Sequence, residues 1–206
     1  MSHGTDATDP GVEGNSRLTG TIGFLLLLLL FVEGVTILSI RGLITLHVFI
    51  GLLLVPPITL KIVTTTYRFA RYYTHAGPYV RRGPPHPLLR LIGPLLVVTT
   101  VVLLGSGIWL LLVGPEKAGL VLTVHKASFV GWFALTAVHV LAHVRETVAL
   151  AAKDWRRTGP RPSAGGRGAR ASAVALALVA GVALGALVTP TATAWTNHRV
   201  HAEGHR

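Results

Sequence analysis

Val124-His125-Lys126-Ala127-Ser128-Phe129-Val130-Gly131-Trp132-Phe133-Ala134-Leu135-Thr136-Ala137-Val138-His139-Val140-Leu141-Ala142-His143 is the stretch that decides how the chain is read. It is apolar over the length of a membrane span, yet it carries three histidines. His125 and His139 are 14 residues apart, which is roughly 21 Å along a helix. Fourteen residues fall about 40° short of four full helical turns, so the two imidazoles leave nearly the same face. Ionisable side chains inside a span are functional candidates by default. Two like-facing imidazoles about 20 Å apart suggest two stacked cofactors, one towards each side of a bilayer.

The composition agrees with a membrane setting. Of 206 residues, 50% are hydrophobic and only 13% are charged, where a soluble domain carries about 25% charged residues. Mean hydropathy is +0.58. The formal net charge of +11 does not point to nucleic acid, because the charges fall between long apolar runs, as in a polytopic membrane protein. There is no cysteine, which excludes disulfides, iron–sulfur ligation and thiolate zinc sites on this chain. Any metal is held by histidine or oxygen, or arrives within a cofactor.

Working outward, the pattern predicts an all-α integral membrane bundle of five transmembrane helices. Residues 1–17 are expected to form a disordered polar tail; with acids at Asp6, Asp9 and Glu13, the stretch lacks the basic start of a signal peptide. The first span is expected at about 18–38 and the second at about 43–64, with a tight turn at Ser39-Ile40-Arg41-Gly42 and a kink at Pro56-Pro57. A polar loop follows at about 67–87, broken by Gly77-Pro78 and Gly83-Pro84-Pro85. The third span is expected at about 88–113 and the fourth at about 120–144. Residues 145–170 read as a basic, flexible linker, 171–189 as the fifth span, and 190–206 as a polar tail. The Ala/Gly/Val content of the fifth span suits close helix packing.

Loop charge predicts orientation. The second-to-third loop region carries Arg68, Arg71, Arg81, Arg82 and Arg90, and the fourth-to-fifth loop carries Arg145, Lys153, Arg156, Arg157, Arg161, Arg167 and Arg170. The opposite loops offer Arg41 and Lys117. The expectation is a multi-pass protein of the cell membrane with a cytoplasmic N-terminus and an extracytoplasmic C-terminus.

This topology allows depths to be compared. His47 lies five residues past Gly42, and His125 six residues past Gly119. Both therefore fall near the outer ends of spans that start from the same side, as bis-imidazole ligation of one haem b iron requires. At the inner level His139 faces Lys61, which stands 14 residues past His47. Lys61 reads as a ligand, a partner of a haem propionate or a snorkelling lysine. His143, one turn beyond His139, reads as an alternative ligand or a propionate partner. Spans one and three carry glycine pairs at the same spacing, Gly20 with Gly34 and Gly93 with Gly107, each 14 apart. Glycine leaves room for a flat ligand beside the backbone.

These four pairs, quoted at residues 18–144, resemble the four-helix di-haem core of the cytochrome b family, in which glycine pairs on the first and third helices alternate with histidine pairs on the second and fourth. The resemblance implies that the first four spans form a haem-binding bundle. It implies axial ligation of iron by His47, His125 and His139, and clearance for the rings at Gly20, Gly34, Gly93 and Gly107. Lys61 stands where the family carries a histidine, so one or two haem b groups are implied. The fifth span lies outside the resemblance, which is nearer to small membrane cytochromes that anchor other oxidoreductases. The expected partners are a quinone or quinol, a redox partner subunit and membrane lipid. Arg41 and Lys126 read as cations near the haem propionates, and no residue is expected to make or break bonds, because the cofactor carries the redox step.

Two other readings fit the same residues. One is a proton or metal-ion transporter using His47, Glu33, Lys61, His125, His139 and His143 as a relay. The other is a non-redox membrane anchor with structural histidines. Glu33 reads either as a proton relay or as a partner of Arg41. His3, His75, His86, His198, His201 and His205 read as interfacial or tail residues.

Overall fold

The computed structural model describes residues 10–81, 87–154 and 167–197. Six α-helices account for most of them: α1 (Pro10–Leu38), α2 (Ile40–Tyr73), the short α3 (Gly77–Arg81), α4 (Pro87–Val113), α5 (Gly119–Asp154) and α6 (Arg167–Val188). No strand occurs among the described residues. Five helical stretches are long and apolar enough to cross a membrane. Their large apolar side chains lie mostly on the outside; Leu38 is 85% exposed and Leu120 78% exposed. An exterior of that kind suits lipid, where burial of apolar surface no longer separates inside from outside.

The helices extend past the spans expected from the sequence. α1 begins at Pro10, a residue whose fixed φ suits the first helical position. The added turns are held by packing: Val12 is buried, and the Asn15 amide donates to the Thr64 carbonyl at 3.3 Å. α2 continues to Tyr73 because residues 64–73 contain neither glycine nor proline. It stops where His75 takes φ 57°, with the Ala76 N–H donating back to the Arg71 carbonyl, the six-to-one closure of a Schellman cap. α5 likewise runs through Asp154, so the first part of the expected linker is helical. Residues 1–9, 82–86, 155–166 and 198–206, with His3, His86, His198, His201 and His205, lie outside the described residues.

The helices fall into two compact units. In the first, α1 and α6 both pack on α2. The α1–α2 turn is tight, with the Gly42 and Leu43 N–H groups donating to the Ser39 carbonyl at 3.0 Å. The backbone departure inside α2 falls here, at Leu43 (φ −115°, ψ 18°), whereas helical torsions continue through Pro56 and Pro57. Pro57 has no N–H for the carbonyl of Leu53, four residues earlier. α6 covers that position: a Cβ on Gly181 would strike the Leu53 carbonyl oxygen, and one on Gly185 would lie 2.8 Å from the Phe49 ring. With only hydrogen on its Cα, Gly181 brings a weak C–H donor against the freed carbonyl. The fifth span thus belongs with the first two, and its small residues do the packing that their composition suggested.

The second unit is built on α4 and α5. Gly114, at φ 72°, and a 3₁₀ turn at Pro115–Lys117 reverse the chain between them. That φ is the left-handed conformation a side chain resists. Midway along the pair, the Trp132 indole N–H donates to the Thr100 hydroxyl at 3.0 Å. Thr100 passes its own proton to the Leu96 carbonyl at 2.6 Å.

Candidate functional site

His47 in the first unit and His125 in the second are each held by the helix that precedes them. On α2, His47 Nδ1 lies 2.8 Å from Glu33 Oε1 and 3.1 Å from Thr36 Oγ1, both on α1. A carboxylate only accepts, so Nδ1 is the donor in this pair. The Thr36 hydroxyl donates to the Glu33 carbonyl at 2.6 Å and lies 3.3 Å from Glu33 Oε2. Thr36 is almost fully buried. Glu33 Oε1 also sits over Gly51, where a Cβ would be 3.6 Å away. His47 and Gly51 are one turn apart on the same face of α2, so the glycine leaves space for the carboxylate beneath the ring. The recorded ionic partner of Glu33 is thus His47 rather than Arg41.

On α5, His125 Nδ1 lies 3.1 Å from the Leu103 carbonyl and 3.1 Å from Ser106 Oγ, both on α4. A carbonyl only accepts, so this ring too is protonated on Nδ1. The Ser106 hydroxyl donates to the same Leu103 carbonyl at 3.0 Å. Gly107 makes room for this ring: a Cβ there would stand 3.2 Å from His125 Cε1. Beside the clamp, Val101, Val102, Gly105, Trp109, Val121 and Val124 line an open apolar groove of about 380 Å³ that also includes Ser106.

The remaining sequence-predicted residues fall as follows. Lys61 reaches from α2 to α1, where Nζ donates to the Thr19 carbonyl at 2.7 Å. Gly23 gives it passage, since a Cβ there would be 3.1 Å from Nζ. His139 is half-buried on α5. His143 lies on the same helix, but its side chain is outside the described residues. Arg41 and Lys126 are exposed. At Gly20, Gly34 and Gly93 an added Cβ meets nothing within 4 Å, so three of the four glycines border open space. Among the described residues, no three of His, Asp and Glu converge as ligands for a metal ion.

Sequence reasoning missed Thr36, Ser106 and the Trp132–Thr100 bond, and it did not connect Glu33 to His47. A signal was present: a hydroxyl residue stands within two positions of Gly34 and of Gly107, on the helix before each histidine. No protein-family model, curated protein or solved structure matches the chain.

Proposed function

We propose that the chain is a membrane b-type cytochrome that carries electrons between a quinone pool and a partner oxidoreductase. The observation that carries this reading is the common state of the two outer histidines. Each is held through Nδ1 by an acceptor on the neighbouring helix, the tautomer a ring needs to offer Nε2 to iron. Haem draws its axial ligands from one or two side chains, which suits imidazoles arriving singly rather than as a cluster of ion ligands.

The pairing of His47 with His125 rests on their matched places in the two hairpins of the sequence. Gly20, Gly34 and Gly93 border the open space that a flat macrocycle asks for. Arg41 and Lys126 supply exposed cations for propionates. When bound, haem b supplies the one-electron redox centre. The chain fixes ring orientation and keeps bulk water from the ligand bonds. Lys61, engaged with the Thr19 carbonyl, serves here as a clamp between α1 and α2, and His139 or His143 remains the candidate for an inner haem. The basic segments orient the N-terminus to the cytoplasm, where they meet anionic lipid or a partner.

The test is a reduced-minus-oxidised spectrum of the purified protein with a pyridine haemochrome count. One or two haem b per chain is expected. A colourless, folded protein from haem-replete cells would overturn the reading in favour of transport or simple anchoring.

A further inference from the structure

The two histidine clamps differ by one group. On α5, a hydroxyl and a peptide carbonyl hold the ring of His125. On α2, a hydroxyl again holds the ring, but a carboxylate stands in place of the carbonyl. Thr36 and a carbonyl would be enough to orient His47, as Ser106 and Leu103 orient His125. Placing a carboxylate within a membrane-crossing helix is costly, so orientation alone does not account for Glu33.

We infer that Glu33 is a positioning residue that makes His47 the more strongly donating axial ligand and thereby lowers the reduction potential of the haem. This rests on the cytochrome reading. The Nδ1–Oε1 distance of 2.8 Å is shorter than the 3.1 Å between His125 and Leu103 O, as expected when the acceptor bears charge. The pair is largely withdrawn from solvent, with the histidine and glutamate side chains 21% and 13% exposed. In such surroundings hydrogen bonds are electrostatically stronger. The carboxylate is also seated: the Gly51 backbone lies beneath Oε1, where a Cβ would be 3.6 Å away. A ring that donates its N–H to a carboxylate becomes more basic at its other nitrogen. The more basic nitrogen favours the oxidised, more positive iron over the form one electron richer. Hydrogen bonding around the ligands is one of the levers a protein holds over that balance.

The experiment is a redox titration of the haem-loaded protein and its Glu33→Gln and Glu33→Asp variants, with low-temperature electron paramagnetic resonance of the oxidised forms. Glu33→Gln is expected to keep haem and to move the reduction equilibrium about tenfold towards reduced, roughly 59 mV positive for one electron. Its low-spin resonance should move with it. Glu33→Asp, with the charge kept but drawn back by one methylene, is expected to shift the same way by less. If Glu33→Gln loses haem, Glu33→Asp decides: a positive shift supports the inference, and the wild-type potential overturns it. Haem at full occupancy in Glu33→Gln with unchanged potential and resonance overturns the inference and leaves the cytochrome reading standing. A wild-type protein without haem overturns both.

Discussion

The α1–α2 hairpin and the α4–α5 hairpin each hold one imidazole by the same nitrogen, yet they are braced by different means. The first is tied at three levels: Asn15 to Thr64, Lys61 to Thr19, and Glu33 with Thr36 to His47. It also carries α6 along its proline-containing stretch. The second relies on its tight turn, one indole–hydroxyl bond and the His125 clamp. A histidine ring needs only an acceptor on a neighbouring helix to be fixed. In a membrane, where apolar burial does not drive helices together, such bonds and small-residue contacts are what distinguish one helix pairing from another.

The comparison breaks most sharply at the ligands. If the chain binds haem as proposed, His47→Ala and His125→Ala are each expected to lower haem per chain, read by pyridine haemochrome. Unchanged haem content in either variant would remove that histidine from the proposed ligands. Next is Gly181→Leu, which pushes a side chain into the Leu53 carbonyl. It is expected to destabilise the protein by about 3 kcal/mol, the upper range for overpacking. Unfolding in detergent checks this, with the α4–α5 hairpin unaffected by local hydrogen exchange. Lys61→Met removes the bond to Thr19 while keeping an apolar stem, and about 1.5 kcal/mol is expected. Its haem count should equal that of wild type; loss of one haem would make Lys61 a ligand instead of a clamp. The smallest effect is expected from Trp132→Phe, about 1 kcal/mol for one neutral hydrogen bond. A larger loss would show that the α4–α5 hairpin leans on this bond more than its single distance suggests.

The all-α architecture and the five spans were legible because apolar runs of that length have few alternatives in a chain of this composition. The ends of the helices were not. Pro10, the stretch 64–73 and the stretch 145–154 are polar enough to read as loop, and they are helical because nothing in them breaks the helix and, at Val12 and Asn15, because tertiary contacts hold them. The kink expected at Pro56-Pro57 illustrates the same limit. Proline announces a missing hydrogen bond, but whether the torsions depart there depends on what covers the freed carbonyl, and Gly181 is more than a hundred residues further along the chain. At the site, the spacing of His47, His125 and His139 could be read directly. The partners of those rings could not, since Glu33 was open to Arg41 on sequence distance alone. The hydroxyls of Thr36 and Ser106 are too common in helices to stand out before a helix pair is known. Gly107 was read as clearance for a ligand and proves to face the His125 ring itself.

The contact between Gly181 and Leu53 also bears on the order in which the protein is made. α2 is made before α6, with a peptide carbonyl that its own helix cannot satisfy. Until then, that carbonyl faces lipid, water or a transient neighbour, at a cost that hydrocarbon surroundings make large. The α1–α2 hairpin is therefore finished only once α6 has been made. A nascent chain cut short before residue 167 is a species for membrane quality control to recognise, even though both of its histidine clamps are already encoded.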